Sequence, residues 1–323
     1  MQRYNFVDRA NIKFFLGLGF IKRSIFEMEK IFFLPDNLYL DQNHVFITGF
    51  PRSGTTLVLN YIFETGEFAS LTNRDVPYLF APNLFNYRNK RIKKQKRIHG
   101  DEIYENLDSP GAYDNVFLNF FDGYEEIYDE YVKYISLVLK KYKKQKYISK
   151  NNYLLNKVII IKKLYKCSKV ILLFRNPIDH ATSLLKQHLH FCKVQNEDRF
   201  ILKYMDLMLH NEFGKGHISW HENRKKYNFT DLNYWLDQWI QQYEKILFLK
   251  EKNDDFILLD IKDFCNNHDL RINLKKKLGI QQQSKFDNIL KYKEGKIFNH
   301  QVDGELLKIS NTIYSKLSIN AFK

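Results

Sequence analysis

The sequence predicts an α/β fold, a mainly parallel sheet flanked by helices, and three observations carry that prediction. His44-Val-Phe-Ile-Thr48 is a β-branched and aromatic run followed by a glycine-bounded loop and a helical pattern, a strand–loop–helix unit. Lys169-Val-Ile-Leu-Leu-Phe174 is almost wholly apolar, as a strand covered on both faces must be. Asp255-Phe-Ile-Leu-Leu-Asp260 repeats the pattern and leads into a further helix that ends near Gly279. Strands that alternate with helices form a parallel sheet, and ligands of such sheets sit beyond the carboxyl ends of the strands.

Taken in order, residues 1–40 read as an amphipathic helical extension that ends at Pro35-Asp36. Thr55 to Thr65 has helical apolar spacing through Leu57, Val58, Tyr61 and Ile62, with Gly66 expected to close that helix at C′. Phe68 to Leu71 and Tyr147 to Ser149 are shorter strand candidates. After the 169–174 strand, Asn176 is an expected N-cap, Pro177 the first helical residue and Asp179 an acid suited to the helix N-terminus. Stretches 76–145 and 186–245 carry helical patterns and no convincing strand, so they are expected to be mainly helical insertions on the substrate side. Neither a repeat nor a Gly/Ser linker divides the chain, and one domain over 1–323 is expected.

Composition limits the function. A chain of 323 residues with 44% hydrophobic and 16% aromatic content buries roughly three quarters of its unfolded surface, which excludes disorder for most of its length. Three cysteines without a C-x-x-C spacing encode neither a disulfide framework nor a zinc ribbon. The apolar stretch Phe14 to Ile21 is shorter than the ~20 residues that cross a bilayer, so no membrane span and a cytoplasmic location are expected. The net charge of +14 comes from 12 arginines and 39 lysines against 37 acids. The lysines are scattered and accompany many Asn, Ile, Phe and Tyr residues, the compositional bias of an AT-rich genome; a nucleic-acid footprint would gather them on one stripe. Nucleic acid is therefore not the expected partner, while the runs 90–97 and 140–146 read as solvated loops or as steering charge for an anionic ligand.

The chemistry is concentrated in Gly49-Phe-Pro-Arg-Ser-Gly54-Thr-Thr56, a loop between a strand and a helix where backbone N–H groups and the helix N-terminus can cradle an anion. Compared with the Walker pattern G-x-x-x-x-G-K-[ST], the glycines and Thr56 match, Thr55 stands in the Lys position, and a cation enters the loop as Arg52. Kinase or ATPase chemistry, which needs that Lys, is disfavoured, and the fold class is refined to a P-loop-NTPase-like sheet. What fits is a nucleotide with its 5′-phosphate in the cradle and a leaving anionic group held by the Arg52 fork.

On these residues the chain resembles the sulfotransferase superfamily, whose first signature is P-[KR]-S-G-T-T and is matched by Pro51 to Thr56. Its second signature, Arg and then Ser eight residues on at a strand-to-helix junction, is matched by Arg175 and Ser183. Segments 73–78, 97–101, 108–110, 210–214 and 234–239 look like a bacterial branch near the tyrosylprotein and carbohydrate sulfotransferases, with coverage from about 44 to 280. The resemblance implies 3′-phosphoadenosine 5′-phosphosulfate (PAPS) as sulfonate donor without a metal, and a hydroxyl or amine acceptor such as a carbohydrate. It implies that Arg52, Ser53, Gly54, Thr55 and Thr56 hold the 5′-phosphosulfate, and that Arg175 and Ser183 hold the 3′-phosphate. Arg52 and Lys150, in Ser149-Lys-Asn-Asn152, are then expected to stabilise the leaving phosphate.

The resemblance points to Asp75 as the base that takes the acceptor proton, with His99 and Glu212 in reserve. A capping or Arg74-paired role for Asp75 is the structural alternative. His217 and His221 lie four apart but lack a third ligand, so no metal is expected. His188 and His190 are expected to line the cleft or face water, and Lys293-Glu-Gly-Lys296 is a faint echo of the cytosolic enzymes' 3′-phosphate segment. A P-loop nucleotide kinase and a non-catalytic nucleotide binder remain the alternatives.

Overall fold

The computed structural model describes residues 5–85, 95–96, 98–100, 104–284, 292 and 301–323. Among these residues seven strands occur: β1 (Val45–Gly49), β2 (Phe68–Ala69), β3 (Gln95–Lys96), β4 (Tyr104–Glu105), β5 (Lys146–Lys150), β6 (Lys169–Phe174) and β7 (Ile257–Asp260). Five form a parallel sheet in the order β2-β5-β1-β6-β7, and β3 and β4 pair antiparallel apart from it. This is the predicted α/β architecture.

The sheet is buried on both faces because its strands are apolar at both parities. Val45, Ile47, Ile171, Leu173, Ile257 and Leu259 face one core, shared with the helices Thr55–Phe63, Ile261–Asn266 and His268–Leu278. Phe46, Val170, Leu172, Phe174 and Leu258 face the other, where the helices Ile127–Tyr142, Pro177–Glu197 and Leu232–Lys252 pack with Trp235 and Trp239. Each wholly buried Leu, Ile or Phe contributes about 1.5–3 kcal/mol relative to exposure, so this two-sided burial is what fixes β1 and β6 at the centre.

Several boundaries differ from the sequence reading for physical reasons. The N-terminal extension is two helices, Phe6–Gly17 and Gly19–Phe33, broken at Leu18, whose backbone is extended. They are tied down by Arg9–Asp198 at 2.6 Å and by buried Glu29, whose carboxylate accepts from the Asn83 and Leu84 amides. The helix after β1 is capped at Glu64, so Gly66 lies beyond C′; its φ of 75° still suits glycine. Stretch 76–145 contains β3 and β4 as well as helices, two-residue strands too short to leave an alternating signal. The predicted helix after β7 is two helices, the second ending at Gly279 with φ 64°. The tail forms a helix, Gly304–Ile319, packed on Leu232–Lys252.

Candidate active site

The site assembles where β1, β5 and β6 end. Gly49 closes β1, and a Cβ there would lie 2.9 Å from the Leu173 carbonyl and 2.7 Å from Ser53 Oγ, so only glycine lets the loop fold back against β6. Gly54, at φ 98°, opens the helix Thr55–Phe63, and a Cβ on it would meet Ile261 at 2.4 Å. Between them Arg52 takes a left-handed φ of 70°, a conformation that costs a non-glycine residue of order 1 kcal/mol or more and is retained where it aims a side chain.

That side chain is aimed at the second predicted segment: Arg52 Nε donates to Ser183 Oγ at 3.3 Å across 131 residues of sequence. The helix that carries Ser183 starts as expected, with Asn176 Oδ1 accepting from the Ile178 and Asp179 amides. One turn in, His180 donates from Nε2 to the Pro51 carbonyl at 2.7 Å and so anchors the loop to this helix. Burial pushes His180 down to about 3, and the cations Arg175 and Arg52 act on it in the same direction. His180 stays neutral, as a donor to a carbonyl beside two guanidinium groups should. Sequence reasoning missed this residue, although it stands inside the Arg175–Ser183 motif.

Ser53 is buried, and its Oγ has no partner that meets hydrogen-bond geometry among the described residues, with the Tyr243 hydroxyl in its neighbourhood. A buried hydroxyl of this kind beside a helix N-terminus suits an anion. Thr55 donates from Oγ1 to Asn152 at 3.3 Å, which ties the loop to the segment after β5, and Thr56 is half-buried in the first helical turn. Arg175 ends the β6 side, where its Nε donates to the Tyr292 hydroxyl at 3.0 Å and its guanidinium lies over that ring. Tyr292 in turn donates to Asp179 at 3.0 Å. The Lys293–Lys296 segment that follows lies outside the described residues.

Lys150 ends β5 opposite Ile47 of β1. Its charge acts on Glu212, from the segment after the helix Arg199–Leu207. Burial pushes Glu212 up, but His210, its own backbone amide and Lys150 together hold it below its ordinary value, so it is an anion at neutral pH. His210 Nδ1 lies 3.4 Å from Glu212 Oε1, and the Tyr153 hydroxyl donates to Oε2 at 3.5 Å. Tyr153 stacks on Trp220 at 4.2 Å, and Trp220 meets Phe50 of the loop edge-on at 5.5 Å.

Asp75 is elsewhere in character. It closes a capping box at Thr72, whose amide donates to Oδ2 at 2.7 Å, and it accepts from Tyr142 at 2.6 Å and from Lys141. Its side chain is wholly buried and both oxygens are engaged. These bonds are the ones the capping alternative describes, and they set Asp75 into the turn after β2. His99 packs edge-on to Phe191, its carbonyl bonded by Gln187; the neighbouring Arg97 and Asp101 lie outside the described residues. His188 accepts from the Gly214 amide and His190 donates to the Ile98 carbonyl, so both are structural supports. His217 pairs with Tyr234 and His221 with Gln242, not with each other, and no cluster of possible metal ligands occurs among the described residues.

With this geometry in view, the sulfotransferase family model matches residues 44–235, more than half of the chain and the whole of the site from β1 to the segment that carries Glu212. The chain belongs to the sulfotransferase family. Its fold is similar to two solved bacterial sulfotransferases: STF1 from Mycobacterium tuberculosis (TM-score 0.51, 10% identity, 93% of this chain and 79% of that one) and STF9 from Mycobacterium avium (TM-score 0.50, 11% identity, 98% and 79%). At such identity the likeness is one of fold. No curated protein matches significantly by sequence. No helix among the described residues of this sulfotransferase is long and apolar enough to cross a membrane.

Proposed function

We propose that this sulfotransferase moves a sulfonate group from PAPS to a hydroxyl acceptor, with the acceptor side built from the helical segments in 76–145 and 186–245. The observation that carries the reading is the Arg52–Ser183 hydrogen bond, because it joins the loop expected to hold the 5′-phosphosulfate to the helix expected to hold the 3′-phosphate. The residues suit such a ligand. Ser53 offers a buried hydroxyl at the helix start, and Arg52, Lys150 and Arg175 supply positive charge where β1, β5 and β6 end.

Sulfonate transfer, like phosphoryl transfer, relies on positioning and charge stabilisation. Arg52 and Lys150 stabilise the charge that builds on the departing 5′-phosphate, a role preorganised donors fill without a metal. Arg175 and Ser183 select the nucleotide by its 3′-phosphate. A carbohydrate is the acceptor class we favour, since the Tyr153–Trp220 stack offers a flat aromatic wall beside the loop.

Thermal shift tests the reading. Stabilisation by 3′,5′-ADP without Mg²⁺, and little by ATP, is expected; stabilisation by ATP–Mg²⁺ alone would replace it with a kinase. Binding of 3′,5′-ADP without transfer of label from radiolabelled PAPS to any acceptor would leave a non-catalytic nucleotide binder.

A further inference from the structure

We propose that His210 takes the acceptor proton and that Glu212 positions it, so that the base of this enzyme comes from the segment after the helix Arg199–Leu207 and not from the end of β2. The proposal rests on the sulfonate-transfer reading above.

The segment is held as a scaffold for a side chain would be. Leu209 adopts a left-handed φ of 57°, and the His210 amide bonds back to the Met205 carbonyl at 2.8 Å, which turns the chain sharply just before the imidazole. The Gly214 amide donates to His188, and Lys215 N donates to Gln195 at 2.7 Å. Gly214 itself, at φ 82°, has Gln195 where a Cβ would stand, 2.4 Å away. The Ile218 amide closes the segment onto the Asn211 carbonyl at 2.8 Å. Within this pinned frame the His210 side chain is 29% exposed while Glu212 is 9% exposed.

The polar groups around the pair come from two directions. Glu212 is on the same segment; Lys150 and Tyr153 face it from β5 and the turn after it; His217 faces it from further along the segment. A carboxylate anion 3.4 Å from Nδ1 favours the tautomer with a proton there, which leaves the Nε2 lone pair available. Nε2 has no hydrogen-bond partner among the described residues. Glu212 is a poor base in its own right, because its two oxygens are turned to His210 and Tyr153.

The step balances as follows. The acceptor oxygen forms a bond to sulfur while its proton passes to Nε2 of His210. The bond from sulfur to the bridging oxygen of the sulfated nucleotide breaks, and its electron pair stays on the departing 5′-phosphate. The imidazolium is paired by Glu212 and gives its proton to water.

The test compares wild type, H210Q, H210A and E212Q for transfer from radiolabelled PAPS to methyl glucoside, glycerol, phenol and water, with 3′,5′-ADP affinity measured in parallel as a check on fold and site. From about pH 5 to about pH 9, H210Q is expected to lower kcat/KM by about 10²- to 10⁴-fold, with the acidic limb of the profile gone and 3′,5′-ADP affinity unchanged. H210A is expected to recover transfer on addition of imidazole. E212Q is expected to lower kcat by a smaller factor than H210Q with KM and 3′,5′-ADP affinity little changed, because the group that orients the imidazole has lost its charge. An H210Q enzyme with wild-type rate and acidic limb overturns the proposal, as does activity in H210Q with none in E212Q, which would make Glu212 the base. Wild type that binds 3′,5′-ADP but transfers to none of these acceptors overturns the catalytic assignment; wild type that binds no 3′,5′-ADP overturns the sulfonate-transfer reading with it.

Discussion

Asp75 and Glu212 are both buried acids near the carboxyl edge of the sheet, and their surroundings differ in a way that separates holding a fold from doing chemistry. Around Asp75 the partners are complete: a backbone amide, two hydroxyls and an ammonium group. Around Glu212 they are long and few, and they lead outward through the half-exposed His210 and towards Lys150. A fully satisfied buried anion stabilises one conformation; an anion whose partner is a part-exposed imidazole can orient that ring and pair its charge.

The strongest way to break the comparison is to neutralise Asp75. D75A leaves the Lys141 ammonium buried without its anion, and a loss of about 3–5 kcal/mol in urea unfolding is expected. Wild-type stability with transfer abolished would return Asp75 to the site. On the chemical side, R52A removes what the proposed function makes a donor to the leaving group and is expected to cost about 10²- to 10³-fold in kcat, roughly 3–4 kcal/mol, with little change in the unfolding midpoint. R175A is expected to weaken 3′,5′-ADP by about 1.5–3 kcal/mol in calorimetry while leaving 5′-AMP unaffected, the mark of a group that reads only the 3′-phosphate.

The smallest effect sharpens the structural side through pH. His44, which donates to the Tyr39 carbonyl and accepts from the Tyr147 amide, is pushed down to about 4 by burial, and His180 to about 3. Below the ordinary histidine value of about 6.5 the unfolded chain takes up protons that these folded side chains refuse. Their contribution is therefore intact above pH 6.5 and is lost as pH falls toward 4, by up to about 1.4 kcal/mol per pH unit for each. Asp114, pushed up to about 6 by burial, acts the opposite way: it is protonated in the fold while still ionised in the unfolded chain, so it offsets one histidine below about pH 6. A net decline in the urea midpoint from pH 7 to pH 5 is expected, and H44Q should flatten it.

How much of this was legible beforehand depended on the range of the signal. β6 was read to the residue and β1, β5 and β7 nearly so, because a strand buried on both faces is written as a continuous apolar run. The cradle loop and the Arg175–Ser183 pair were legible because local spacing carries them. The capping bonds of Asp75 were only half legible, because they also involve Lys141 and Tyr142, more than sixty residues away, which no local pattern announces. His210 was passed over for the opposite reason: a polar residue in a stretch without periodicity shows nothing until the fold brings Lys150 and Tyr153 to its neighbour. A histidine two residues before an acid was the available hint, and it is too common to act on alone.

The pairing of β1 with β6 sets Gly49 level with Leu173, and the loops that leave these two strands begin side by side. Their separation is therefore the inter-strand spacing of a sheet, about 4.8 Å, a dimension that substitutions in either loop do not alter. His180 adds a second tie, holding the loop after β1 to the helix that follows β6. On the proposed reading, a nucleotide whose two charged ends are set at another span is expected to be turned away by length before any single contact judges it.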